Sequence, residues 1–214
     1  MAWLDTQNVP ELSADAEVIR GINHIRACDP VMASLIDCYG LYKFEPTTNY
    51  FDVMLNTVIS QQLSTKAADS IYRKTLANIG TRRPRPEDIL GASDEALRNA
   101  GLSRSKVLYV KNVAEWFAAG RRGPGTFAKM ADDEVLKQLV SIKGVGEWSA
   151  HMFLMFALNR LDIFPLGDLG LRNAMTQQYK LPKSAPAKRF MNIAEKWAPY
   201  RTVAAIYLWK SYDE

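Results

Sequence analysis

The stretch Leu139-Val140-Ser141-Ile142-Lys143-Gly144-Val145-Gly146-Glu147-Trp148-Ser149-Ala150, followed as far as Asp168, decides how this chain is read. An apolar helix end runs into the turn Lys143-Gly144-Val145-Gly146, a second helix opens at Glu147-Trp148, and a lone carboxylate stands at Asp168. Two glycines flanking one apolar residue let the backbone reverse sharply and present N–H groups at the start of a helix. Those amides and the helix dipole point the same way, so the turn can hold a phosphate; it can also be a plain corner between two helices. Lys143 beside the glycines adds a positive charge to the first reading. Asp168 likewise has two readings, the N-cap of a helix running to Tyr179 or a carboxylate that does chemistry.

Outward from this stretch the chain reads as helix almost throughout. Apolar residues recur at three-and-four spacing, and clean alternation never persists between turn signals, so the fold class is all-α with ten or more short helices. Ser13 can cap a first helix to about Ala27, and Asp29-Pro30 gives the cap-then-proline start of a second through Cys38. Gly40 to Thr48 reads as a connection. Asn49, with Asp52 three residues on, can cap a broad apolar helix ending near Gln61-Gln62-Leu63, and Ser64 caps the next, Thr65 to Ile79. Gln62 and Leu63 then fall in a tight corner, where Leu63 is either core packing or an exposed apolar wedge beside a ligand.

Thr81 to Pro86 reads as a loop bearing Arg82, Arg83 and Arg85, touching phosphate or simply solvated. Ser93 and Ser103 cap helices closed by Gly101 and Gly120, and Arg121 to Gly125 is the best linker candidate, too short to separate independent domains. Asp132 is expected to cap the helix leading into the glycine turn. Ser184 starts a helix through Trp197, and Pro199 precedes a last apolar helix ending near Trp209-Lys210.

Composition bounds the function classes. With 214 residues, 48% hydrophobic and 23% charged, the chain can bury a core and shows no sign of disorder or of a repeat array. The net charge is +4, but residues 1–60 carry three basic and eight acidic side chains against 24 basic and 15 acidic in the rest. A basic major part suits a polyanionic partner, and solvated helix faces give the same asymmetry. The two cysteines, Cys28 and Cys38, lie ten positions apart and are too few for a structural zinc site or a four-cysteine iron–sulfur cluster, and they read as buried thiols. The start, Met1 to Pro10, lacks the basic end and apolar core of a signal peptide, and no apolar run reaches about 18 residues. A soluble protein of a reducing compartment, with no membrane partner, is the expectation.

The run Leu139 to Ala150, with Phe164-Pro165-Leu166-Gly167-Asp168-Leu169-Gly170-Leu171-Arg172, resembles the helix-hairpin-helix plus Gly/Pro-rich loop and aspartate of the base-excision DNA glycosylases (HhH-GPD), most closely the 3-methyladenine DNA glycosylase II, or AlkA-type, branch. Ile59-Ser60-Gln61-Gln62-Leu63-Ser64, Gly101-Leu102-Ser103 with Lys106, and Trp197-Ala198-Pro199-Tyr200-Arg201 with Trp209 resemble further segments of that family, so the likeness covers about residues 45 to 212. It implies a single glycosylase domain of two closely packed helical lobes with an active-site cleft between them: lobe A about 1–48 plus 165–214, lobe B about 49–164, with the helix-hairpin-helix at about 132–158. An N-terminal β-rich domain like that of larger members is not expected.

The resemblance makes Asp168 the catalytic carboxylate. An alkylated purine is already cationic and leaves without protonation, so what needs stabilising is the positive charge growing on the deoxyribose. It places Trp148, Trp209 and Met152 at the base pocket, where indole faces can attract a positively charged purine by roughly 0.5 to 2 kcal/mol; core tryptophans in apolar helices are the plainer reading. Leu63, with Gln62, becomes the wedge that fills the gap left by a flipped nucleotide. Lys143, Gly144, Val145, Gly146 and Ser149 become the contacts to the DNA backbone, and the carbonyls of Val140, Ile142 and Val145 a seat for a monovalent cation, Na⁺ or K⁺. Trp148 stands where strand-cutting branches carry a Schiff-base lysine, which implies a monofunctional enzyme without a cofactor.

Two departures bear on specificity. Lys143 replaces the family's usual proline, and Met152 stands where an aromatic residue is common, leaving the pocket less aromatic. Glu147 and Asp162 are expected to be solvated carboxylates, and His24 and His151 structural or surface residues. The expected activity is excision of 3-methyladenine, with 7-methylguanine as a further substrate, from duplex DNA by a monomer, in the nucleoid-bearing cytoplasm of a bacterium or the nucleus of a eukaryote. The alternatives are a non-enzymatic damage-binding module and a glycosylase for deaminated or oxidised bases.

Overall fold

A computed structural model describes residues 16–41, 47, 49–120, 124–127 and 129–212. Within them the secondary structure is helical, with no strand, and no helix is long and apolar enough to cross a membrane. Thirteen α-helices and one 3₁₀ turn follow in order. They are α1 (Ala16–Cys28), α2 (Pro30–Tyr39), α3 (Tyr50–Ser60), α4 (Thr65–Asn78), α5 (Pro86–Gly91), α6 (Asp94–Asn99), α7 (Arg104–Ala118), α8 (Pro124–Phe127), α9 (Asp132–Val140), α10 (Glu147–Phe156), α11 (Leu169–Gln178), α12 (Ala187–Ala194), the 3₁₀ turn Glu195–Trp197, and α13 (Arg201–Lys210).

Most boundaries follow from local capping chemistry. Asp29 accepts from Val31 N–H and Met32 N–H, with Pro30 at the first helical position of α2, and Asn49 accepts from Asp52 N–H. Ser64, Ser93 and Ser103 accept from the third amide of α4, α6 and α7. Four expectations differ from what is observed. Ala131, not Asp132, is the N-cap of α9, and Asp132 sits in the first turn with Asp133 and Glu134, where acidic groups meet the positive helix end. Pro186 rather than Ser184 opens α12. The region after Arg85 forms α5, its Asp88 accepting from Arg85 N–H at 2.8 Å. Helix α8 occupies part of the expected linker, whose residues 121–123 lie outside the described residues, as does the expected cap Ser13.

The described residues fall into two compact units, one within Pro46–Leu158, the other from Asn8–Glu45 together with Asn159–Glu214. The first is built round α3, whose residues Phe51 and Val53 to Ile59 are all buried; the two polar ones, Thr57 and Asn56, are hydrogen-bonded within the helix, to Val53 O and from Ser60 Oγ. Helices α4, α7 and α10 pack on it. One end is closed by aromatic rings, with Tyr50, Phe117 and Phe127 each 5.2–6.3 Å from Phe153.

In the second unit α13 plays the same part, with Thr202 to Trp209 buried without interruption, against α1, α2 and α11. Asp29, 1% exposed, joins the unit from within by accepting from Tyr179 Oη (2.9 Å) and Trp197 Nε1 (3.1 Å). Residues 159–164 belong here rather than with the preceding helices. Thr202 N–H donates to Leu161 O and Thr202 Oγ1 accepts from Ile163 N–H, while Asp162 takes a two-pronged bond from Arg201, 2.6 and 2.7 Å. Asp162 is therefore ion-paired rather than merely solvated, and the pair raises the Arg201 pKa. Cys38 is exposed and Cys28 half-buried, so the expected pair of buried thiols is not observed.

Candidate functional site

In the first unit, α9 and α10 are joined by a short hairpin that alternates inward and outward. Ile142 and Val145 point in, each 5% exposed, while Ser141, Lys143 and Gly146 are exposed. The turn is closed by Ile142 N–H to Leu139 O at 3.1 Å and Val145 N–H to Ile142 O at 2.9 Å. Gly144 lies at φ +103°, and a Cβ there would sit 2.2 Å from Cγ of Tyr109, so the position excludes any side chain. Gly146 is the N-cap of α10, so the leading amides of the helix lie at the positive end of its dipole. Amides of this kind, beside an exposed Lys143, suit an anionic oxygen. Val145 and Ser149 contribute backbone only, since Ser149 is 1% exposed and its Oγ accepts from Gln61 Nε2 at 2.9 Å.

Trp148 stands in the first turn of α10 and is half-buried, whereas Met152 one turn on lies inside, 2% exposed. At the end of α3 the chain turns back through Gln62, at φ +56°, and Leu63 N–H closes the turn on Ser60 O at 3.2 Å. Leu63 is 39% exposed, which removes the core reading of this residue. His151 is half-buried; burial lowers its pKa, and Glu147 opposes the shift only in part.

The second unit holds Asp168. Its carboxylate is buried, 7% exposed, and caps α11. Oδ1 accepts from Leu171 N–H at 2.6 Å and from Trp209 Nε1–H at 2.8 Å. The first bond is an ordinary cap; the second comes from a residue 41 positions away and fixes the carboxylate beyond what capping needs. Gly170 makes the approach possible, since a Cβ there would lie 3.3 Å from Oδ1 of Asp168 and 3.7 Å from Cδ1 of Trp209. Trp209 is itself 2% exposed, so its position serves the carboxylate through the N–H. Sequence reasoning missed Gly170, Gln61, Tyr109 and Asn112. Only the spacing of Lys106, Tyr109 and Asn112 along α7 offered a signal for the last two.

The comparisons with known proteins bear on both units. A family model described as the HhH-GPD superfamily base excision DNA repair protein matches residues 55–199. DNA-3-methyladenine glycosylase 1 of Schizosaccharomyces pombe is 34% identical over 198 residues, covering 88% of this chain and 85% of that protein. An alkylbase DNA glycosidase-like protein, mag2, of the same yeast is 30% identical over 205 residues, covering 93% and 96%. Among solved structures, the Schizosaccharomyces pombe 3-methyladenine DNA glycosylase in complex with abasic DNA superposes with a TM-score of 0.81 at 31% identity, over 89% of this chain and 95% of that one. A DNA-3-methyladenine glycosidase from Bacillus halodurans gives 0.73 at 35%, over 93% and 90%. On the hairpin, the capped aspartate and these matches together, the chain belongs to the HhH-GPD superfamily of base excision DNA repair proteins.

Proposed function

We propose that this protein is a monofunctional DNA glycosylase of the AlkA-type branch that removes alkylated bases, 3-methyladenine foremost and 7-methylguanine with it, from duplex DNA as a monomer. The observation that carries the reading is the buried Asp168 carboxylate, held on Oδ1 by two N–H donors. A fixed anion in a water-poor setting stabilises positive charge without reorganising as the charge appears.

In the proposed reaction the hairpin amides of α10 and Lys143 hold the backbone and Leu63 with Gln62 supports a flipped nucleotide. The bond between C1′ and the alkylated base breaks with its electron pair going to the cationic base, which leaves neutral. Asp168 stabilises the oxocarbenium-like sugar and orients a water, whose oxygen bonds to C1′ and whose proton passes to solvent, leaving an abasic site. No cofactor is needed for these steps. Trp148 is assigned to stacking on the base, with Met152 one turn further along α10, and Trp209 to holding the Asp168 carboxylate through its N–H. The Val140, Ile142 and Val145 carbonyls are proposed to seat a monovalent cation; Ile142 O, which accepts from Val145 N–H, keeps a second lone pair for it.

Incubation with methylated duplex DNA, followed by chromatography of the released bases, tests the reading. Release of 3-methyladenine supports it, and tight binding without release favours a damage-binding module instead. Borohydride treatment on abasic DNA tests the absence of a lyase step, because Trp148 offers no amine; a trapped covalent complex overturns that part.

A further inference from the structure

Helix α7 carries Lys106, Tyr109 and Asn112 three residues apart, on one helical face. Two of the three meet the surface assigned above to DNA. The Tyr109 ring lies against Gly144, and Asn112 Nδ2 donates to Lys143 O at 2.9 Å. Lys106 does something different. Its Nζ donates to Ile59 O at 2.5 Å and to Gln61 O at 2.9 Å, where α3 ends and the chain turns toward Leu63. The last carbonyls of a helix carry partial negative charge, so an ammonium is a strong partner there. The side chain of Gln61 continues the connection, Nε2 donating to Gly144 O and to Ser149 Oγ, both at 2.9 Å.

This arrangement bears on a difficulty posed by Leu63. An apolar side chain left 39% exposed is held only in part by its own packing, and Gln62 before it sits at φ +56°, a conformation that needs outside support. That support comes from the ammonium of Lys106 on one side of the turn and the Gln61 amide on the other. Burial lowers the pKa of Lys106, consistent with an ammonium that has exchanged water for carbonyl oxygens.

We propose that Lys106 is a positioning residue for the Leu63 wedge: clamped on the Ile59 and Gln61 carbonyls, it holds the Gln62–Leu63 turn in register with the hairpin through Gln61. The proposal rests on the glycosylase reading and on Leu63 as the wedge. It differs from a direct phosphate contact, in which the ammonium faces DNA, and from a strut that only stabilises the fold.

Lys106→Met and Lys106→Arg, in the full chain, separate these. Single-turnover release of 3-methyladenine is measured from a duplex and from the same lesion in a single strand, which needs no wedge. Lys106→Met is expected to slow release from the duplex by at least about tenfold, the loss of charge-assisted bonds at the turn. Release from the single strand should stay near wild type, and Lys106→Arg should restore most of the duplex rate. An equal loss on both substrates, tracking a lower melting temperature, overturns the proposal in favour of a strut. A decrease of about 0.9 in the slope of log affinity against log salt identifies a phosphate contact and also overturns it.

A second readout does not depend on base release. Fluorescence of a 2-aminopurine placed beside the lesion should rise on binding wild type and fail to rise with either Leu63→Ala or Lys106→Met. If wild type releases no base but this signal behaves as stated, the glycosylase reading fails and the positioning role stands. A signal that Lys106→Met leaves intact, or that wild type never gives, sinks the positioning role.

Discussion

Replacing Asp168 by asparagine separates the two roles that its geometry allows. An asparagine carbonyl can take the place of Oδ1, accepting from Leu171 N–H and Trp209 Nε1–H, now 2.6 and 2.8 Å from the carboxylate. Asparagine and aspartate cap helices about equally well. What the substitution removes is the charge. Neutral acceptors hold such bonds about 1 kcal/mol less tightly than charged ones, and relief from burying an anion offsets part of that, so the net stability change should stay within about 2 kcal/mol. For a chain of this size the melting temperature should move by less than about 8 °C.

The effect on catalysis should be far larger. A unit negative charge about 4 Å from a developing sugar cation, at an effective dielectric near 20, contributes about 4 kcal/mol, or about a thousandfold in rate. Single-turnover release of 3-methyladenine from duplex DNA should therefore fall by about three orders of magnitude. Affinity for the same DNA should be unchanged or higher, since a negative charge near phosphates has gone. Asp168→Ala is the control. It removes the cap, about 1 kcal/mol, and takes the acceptor from the buried Trp209 N–H, about 1–3 kcal/mol, so it should lower stability well below that of Asp168→Asn. An Asp168→Asn protein that keeps more than a tenth of the wild-type rate refutes the catalytic assignment and leaves Asp168 as a cap.

Three further outcomes follow from the geometry. Gly144→Ala should lower the melting temperature by roughly 10 °C and weaken DNA binding, because the methyl meets Tyr109 at 2.2 Å and the backbone at φ +103° resists a side chain; thermal melts and filter binding check this. Leu63→Ala should cost no more than about 1 kcal/mol of stability, since the side chain is partly exposed, yet slow excision from paired sites by roughly tenfold; an unchanged rate returns Leu63 to ordinary surface. His151 is held below its ordinary pKa by burial, so the folded state binds fewer protons than the unfolded one just below pH 6.5. Stability should thus be full above that pH and decline as pH falls through it, and denaturant melts of His151→Asn should show a shallower decline than wild type.

Short-range interactions were legible in the sequence and long-range ones were not. Asp29, Asn49, Ser64, Ser93, Ser103 and Asp168 were legible as caps because a cap is a bond to an amide two or three residues on, and the residue type carries the whole message. The glycine turn was legible for a similar reason, as a local backbone requirement. Asp132 misled because acidic residues favour both the cap and the first turn, and Asp162 because its partner Arg201 lies 39 positions away.

Residue order alone shows that the chain is helical, where most helices begin, that a hairpin capable of holding an anion precedes an aspartate, and that position 148 holds tryptophan and not lysine. It took the folded chain to show that Trp209 holds Oδ1 of Asp168, that Gly144 admits Tyr109, that residues 159–164 belong with α13, and that Lys106 and Gln61 bond the end of α3 to α7 and the hairpin. The physical reason is common to all four. Each depends on a donor, a ring or a charge brought from tens of residues away, and the packing round α3 and α13 supplies it where no local pattern can.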